Sequence, residues 1–433
     1  MLPSVNVVNV WRSISSIVQS QFVRNVATVA TGVFAAQVIS LAFTPFLTRL
    51  YGPEAFGVVA AFVAVLTILN PTVTLGFSTA IVLPPNEEGA MAVARLSMFS
   101  TALMAPAAFV FIWVFEAHLA RWTSLDSIPF ILYLIPISLV FTALLAVAEQ
   151  LAIREGLFKA RAISKVSSTL LINIGKLAAG IFAPSGLVLI AITVVGFLIN
   201  YFVLLARVPR REVFEVKRWV GARGVLEAAK THRDFAFYRL PQSVINAAAL
   251  GLPMLLLAAF FGAGTAGQYS LTSLVLGAPV MLLGKSVSDV FYPKITREIS
   301  QRKQGAKKLL VRATIVSLLL AVGLFGPLAV VAPYLFPVVF GAEWIQAGLY
   351  AQWVAIWMAG VIASRPSVAA YPALGLQKHL LFYEVVVTAA RVVALYMGAR
   401  YWDDLTAIAA FSVINALGYF ALIGLAFMRL RQP

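Results

Sequence analysis

Twelve runs of mainly apolar residues, each long enough to cross a bilayer as a helix, set the class of this chain before any motif is read. A span needs about 20 such residues, because the hydrocarbon core is ~30 Å thick and a helix rises ~1.5 Å per residue. Lipid offers the backbone no hydrogen bonds, so each run is expected to be a helix. The runs fall near 26–48, 55–83, 92–115, 128–150, 167–183, 187–206, 238–261, 268–290, 311–336, 348–371, 379–399 and 405–428. Sharp breaks separate several of them, among them Gly52-Pro53, Pro84-Pro85-Asn86, Pro184-Ser185-Gly186 and Trp402-Asp403-Asp404. Only 12% of residues are charged, about half the share of a soluble domain. The expected fold class is all-α integral membrane.

Where the charges stand fixes the expected topology. The termini and even-numbered loops hold nearly all the Lys and Arg, with nine between Arg207 and Arg239 and seven between Lys294 and Arg312. The odd-numbered loops hold Arg49, Arg121 and Arg400. The positive-inside rule then puts both termini and every even loop of this multi-pass membrane protein in the cytoplasm. The net charge of +16 is thus a topology signal, with attraction to anionic membrane lipids secondary and nucleic acid not an expected partner. No removable signal peptide is recognisable at the start. Val7, Trp11, Ile14, Val18 and Phe22 instead recur at helical spacing, as in an amphipathic helix lying at the interface.

One punctuation pattern occurs twice. "RLYGPEAFGVVAAF" begins at Arg49 and "AFFGAGTAGQYSLT" at Ala259, so Gly52 and Gly57 correspond to Gly262 and Gly267. Pro84 and Pro293 follow at nearly the same offset, and Pro71 lies near the equivalent of Pro279. The pattern predicts a duplicated six-span unit: an N-terminal segment 1–25, an N-lobe 26–206, a basic linker 207–237 and a C-lobe 238–433. A six-span copy re-enters the membrane in the same orientation, and the seam of such halves is where alternating-access transporters hold substrate. Pro45, Pro71, Pro253, Pro279, Pro366 and Pro372 lie within or near the ends of spans, where each removes a backbone hydrogen bond, as bending elements or as static kinks.

No enzymatic constellation emerges. The chain has no cysteine, three scattered histidines, no metal-ligand spacing and no cofactor motif. "PVMLLGKS" lacks the first glycine of a phosphate loop and sits in an apolar run. What remains are polar groups at membrane depth, which are functional candidates by default. Lys176, Arg365 and Arg391 are candidate substrate contacts, or else snorkelling or paired charges. Asn173, Asn70, Gln37 and Asn246 could line a sugar path, as mid-span amides like Asn200 also could, or bond helix to helix. Glu384, seven residues before Arg391 and so on nearly the same face, and Asp289, four after Lys285, are the acids available for ion coupling. Arg49 reads as an interface anchor.

"TPFLTRLYGPEAFGVVAAFVAVLTIL", "AIVLPPNEEGAMAVARLS" and "LFPVVFGAEWIQAGLYAQ" resemble the bacterial polysaccharide-biosynthesis flippases. These are the Wzx-type, lipid-linked oligosaccharide branch of the superfamily that includes the MATE multidrug exporters. The resemblance implies two pseudo-symmetric six-helix lobes around a cavity open to one face at a time. It implies an undecaprenyl-diphosphate-linked oligosaccharide as substrate, a proton or sodium gradient as drive, and polysaccharide polymerase and chain-length machinery as partners. Cationic lumen residues would hold the diphosphate. Two other readings stand beside it: a small-molecule antiporter on the same fold, and a membrane glycan ligase or polymerase.

Overall fold

The computed structural model describes residues 21–430 apart from 124, 126, 127, 210 and 302. The amphipathic segment expected around Val7, Trp11, Ile14 and Val18 lies outside the described residues, as do the side chains of Lys285 and Asp289. The described part is helical almost throughout.

Spans one and two form α1 (Gln21–Val73), one continuous rod except at Gly52, whose φ of 67° and ψ of 171° break it. A residue with a Cβ is strained in that conformation, so the glycine decides where the rod turns. Span two ends earlier than the apolar run suggests. Gly76 takes a left-handed conformation with φ 75°, and a 3-10 turn, Phe77–Val82, finishes the run. Then follow α2 (Glu87–Thr123), α3 (Leu134–Arg154), α4 (Phe158–Phe182) and α5 (Gly186–Leu205). After a short α6 (Val225–Thr231) come α7 (Leu240–Phe261), α8 (Ala263–Gln301), α9 (Lys303–Phe340), α10 (Ile345–Leu374), α11 (Gln377–Tyr401) and α12 (Asp404–Arg429).

Ten described helical segments are long and apolar enough to cross a membrane. One of them, Thr28–Val73, is two spans across the Gly52 break. Phe158–Phe182 makes the twelfth; Ser164, Ser168, Asn173 and Lys176 lower its apolarity. The basic stretch expected as loop eight is helix instead: α8 and α9 extend past the apolar runs, as cationic helix ends outside lipid. The prolines within spans leave the helices running on. Pro45, Pro253 and Pro366 all lie inside helices, while the reversals fall at Gly52 and Gly262.

Both lobes share one plan. In the N-lobe α1, α4, α5 and α3 close a ring with α2 standing outside it; in the C-lobe α7, α8, α10, α12 and α11 close a ring with α9 outside. The residues between the lobes are not a loose tether. Trp219 is fully buried, its indole N–H donates to the Val213 carbonyl at 3.0 Å, and Tyr201 donates to the Phe214 carbonyl at 2.9 Å. Arg218 pairs with Glu87 at 3.0 Å, holding the segment to the start of α2. Arg154 donates to the Pro84 and Asn86 carbonyls, which secures the double-proline turn.

Candidate functional site: two ring interiors and a one-sided seam

The lobes meet most closely at one end. At the face opposite the basic one, a Cβ on Gly57 would stand 1.7 Å from the Ala263 carbonyl oxygen, and one on Gly267 would stand 1.8 Å from that of Pro53. Pro53 and Ala263 are equivalent in the repeat, so the contact is reciprocal and backbone meets backbone. That is why the glycine-bracketed turn is built twice. Around it the Trp344 indole donates to the Thr48 carbonyl at 3.0 Å, and its ring meets Phe56 edge-on at 5.2 Å. The Arg49 guanidinium donates to the Val338 carbonyl at 2.7 Å, a bond between lobes where the sequence suggested an interface anchor.

Toward the basic face the lobes no longer share a core. In the outer half, the apolar core of one lobe includes residues of the other: Ala61 and Phe56 join the C-lobe core, and Ala263 joins the N-lobe core. In the basic half the cores are separate, one around Met91, Leu151 and Trp219, the other around Phe291, Ile295 and Leu310. They connect through α7, where Gly76 approaches the Phe235 carbonyl at its start and a Cβ on Gly251 would stand 3.2 Å from the Ala64 carbonyl oxygen and from the Ile68 side chain. Thr67, Asn70 and Asn246 on this half are exposed.

The intramembrane charges fall into two groups rather than one. Arg391 on α11 points into the C-lobe ring, 7% exposed, with Nη1 3.5 Å from Glu384 Oε1. The seven-residue spacing read from the sequence does put both on one face. Tyr269, Tyr383 and Tyr419 surround the guanidinium, and Arg365 reaches the same Tyr419 from α10. Gly284 makes room for this: a Cβ there would lie 2.8 Å from Arg365 Nε. Arg365 Nε and Arg391 Nε have no hydrogen-bond partner among the described residues, nor do Ser367, Tyr383, Thr388 and Ser412 in their side-chain oxygens. Buried polar groups left this way need water or a ligand.

Lys176 lies in the other lobe, half-buried on the face of α4 that meets the end of span one, where Tyr51 donates to its carbonyl at 2.6 Å. No described carboxylate pairs with it. Asn173, one turn away, is buried and donates to the Thr169 carbonyl of its own helix at 2.8 Å. Gln37 is half-buried. The structure thus gathers Arg365, Arg391 and Glu384, and keeps Lys176 and Asn173 apart from them.

Sequence reading missed the tyrosines around Arg391; the signal was Tyr383 beside Glu384 in an apolar run. It also missed two polar hubs. Asp404, read as part of a turn, accepts from Tyr350, from Thr265 at 3.2 Å and from Gln346 at 3.5 Å, tying α8, α10 and α12 together. In the N-lobe ring a cavity of about 160 Å³ is lined by Glu149, Arg161, Ser164 and Asn200, with Arg161 and Glu149 at 3.4 Å.

Two helical lobes, twelve spans and a polar interior without a metal-ligating cluster among the described residues define a membrane transporter architecture. The chain belongs to the polysaccharide biosynthesis protein family, whose pattern matches residues 46–348. The succinoglycan biosynthesis transport protein ExoT of Rhizobium meliloti (strain 1021) is 24% identical over 352 residues, 80% of this chain. That match spans 66% of the relative's length, just under two thirds. Among solved structures, the lipid II flippase MurJ in an inward closed conformation has a TM-score of 0.70 at 13% identity, over 93% of this chain and 89% of that one. An inward-facing MATE multidrug resistance transporter of the MOP superfamily has a TM-score of 0.71 at 13% identity, over 91% and 94%. At such identity these two likenesses carry the fold alone.

Proposed function

We propose that this chain is a flippase that carries lipid-linked oligosaccharide repeat units from the cytoplasmic to the outer leaflet of the bacterial inner membrane, for surface polysaccharide synthesis. The observation that carries this reading is the C-lobe interior: two guanidiniums against one carboxylate, at membrane depth. A net positive cluster with unpartnered N–H groups is the complement of a diphosphate. A sugar chain cannot cross hydrocarbon bare, because each hydroxyl would lose its water. Opening of the lobes on the basic face gives the head group a wet path, while its lipid tail stays in the membrane.

In this reading the basic face is cytoplasmic, by the positive-inside rule, as are both termini. The head group is taken up between the parted halves, and Arg365 and Arg391 hold the phosphates while exposed amides such as Asn70 and Asn246 meet sugars. The glycine seam with Arg49 and Trp344 then separates as the basic half closes, and the head group leaves on the other side. No bond is made or broken. Energy comes from a proton or sodium gradient, with Glu384 the described acid best sited to respond, since an anion on Arg391 competes with it. Lipid-linked substrate, membrane lipid and a polysaccharide polymerase with its chain-length machinery are the partners.

The test is export of surface polysaccharide by cells carrying Arg391→Ala or Arg365→Ala at wild-type protein level. Strongly reduced export is expected from Arg391→Ala. Wild-type export from both variants refutes the assignment of these cations to the substrate.

A further inference from the structure

Outside both rings, α2 leans against α3, and an apolar groove of about 860 Å³ runs between them. Small residues, Thr101, Ala102 and Ala105, form its floor. Phe99 and Ile137, 61% and 45% exposed, form its rims, so this surface faces the bilayer. The groove follows α2 from Arg95 to Val110. That is roughly 22 Å at ~1.5 Å per residue, most of the ~30 Å hydrocarbon thickness.

Its basic end differs in character. The stretch from Trp219 to Ala222, just before α6, roofs it, and Arg95 is the one charged residue in its lining. Arg95 Nε donates to the Arg218 carbonyl and Nη1 to the Arg223 carbonyl, both at 3.1 Å, which pins the inter-lobe segment to α2. Arg223 stands exposed beside it. An apolar trench open to lipid, ending at interface level at Arg95, with Arg223 in the neighbouring cavity that Glu87, Glu88 and Glu227 also line, is shaped for an amphipathic anion.

We infer that this groove binds one anionic phospholipid from the leaflet on the basic face, its chains along α2 and its phosphate at Arg95 and Arg223. The lipid then bridges α2, α3 and the segment that joins the lobes. A zwitterionic lipid brings an ammonium group against the same cations and binds less well. The site lies outside the ring interiors and does not depend on what the protein transports.

The test uses the purified full-length chain in detergent, titrated with phosphatidylglycerol or phosphatidylethanolamine and read by native mass spectrometry and by Tm. One retained phosphatidylglycerol per chain and a larger Tm gain than with phosphatidylethanolamine are expected. Ala102→Trp, which fills the groove from an exposed position, removes both. Arg95→Gln keeps a bound lipid but weakens the preference for phosphatidylglycerol about tenfold, the value of one charge-assisted contact. Should Ala102→Trp fail to fold, photo-crosslinking of phosphatidylglycerol to the wild-type chain decides, with adducts expected on α2 between 98 and 110. Equal binding of the two lipids, phosphatidylglycerol retained by a folded Ala102→Trp, or adducts confined to other helices overturns the inference.

Discussion

The two lobes have the same skeleton and different interiors. Their sixth spans even start alike: Ser185 accepts from the Val188 N–H, and Asp403 accepts from the Thr406 N–H. Inside the N-lobe ring, polar groups mostly satisfy each other, with Ser164 donating to Asn200 at 3.1 Å and Asn173 bonded within its helix. Inside the C-lobe they do not. Of nine buried side-chain polar atoms without a partner among the described residues, eight belong to the C-lobe, and Arg161 supplies the other. The helices stand alike in the two lobes, while a few side chains leave the polar groups mostly satisfied in one interior and unpartnered in the other.

The comparison breaks most directly at the two ring arginines. Arg391→Gln is expected to lower transport of a lipid-linked oligosaccharide into vesicles more than tenfold, since a buried charge-assisted contact is worth ~1.5–3 kcal/mol. Arg161→Gln should cost less than about threefold, because its Glu149 partner is half-exposed and solvent screens the pair. Equal losses would erase the distinction between the lobes.

The seam predicts equality instead. Gly57→Leu and Gly267→Leu each drive a side chain into a carbonyl of the other lobe, an overpacking cost of about 1–3 kcal/mol against the sealed state. Because the contact is reciprocal, both should expose a single cysteine placed at Thr48 to labelling from the outer face by similar factors, about tenfold. The native chain has no cysteine, so the background is clean. A change with one variant alone would mean that the two turns are not equivalent.

Gly284→Ala makes a subtler change. The new methyl meets the end of the Arg365 side chain, which yields, so stability should change by less than about 1 kcal/mol while transport falls severalfold. Loss of both together would make Arg365 a packing residue.

The smallest effect concerns the caps. Two hydrogen bonds from Thr406 hold the Asp403 carboxyl below its ordinary pKa, so its contribution is present above that ordinary value and fades as pH falls through the lower folded one. Ser185, at the matching position, does not titrate there. The Tm difference between wild type and Asp403→Asn should therefore be largest above about pH 4 and shrink as pH falls below it, while that for Ser185→Asn stays constant with pH.

Much of this was legible in the chain. Span number and the repeat follow from run lengths and glycine–proline marks, since hydrocarbon thickness and missing Cβ atoms act locally. The pairing of Glu384 with Arg391 followed from helical periodicity alone. Other features were not legible. Lys176 looked equivalent to Arg391, because a cation in an apolar run gives no sign of which lobe interior or which partner it meets. Asp404 looked like an ordinary turn residue until Tyr350, Thr265 and Gln346 converged on it from two other helices.

By itself, the sequence determined that this protein spans a membrane twelve times in two related halves with one strongly basic face. Those properties depend on how residues partition between water and lipid, and each span partitions on its own. Only the tertiary structure decided that the halves meet backbone to backbone at Gly57 and Gly267, that their cores are separate in the basic half, and that Arg365 and Arg391 gather in the C-lobe while Lys176 stands apart. Those depend on which helix faces meet, and contact between residues hundreds of positions apart is a property of packing, which no local pattern encodes.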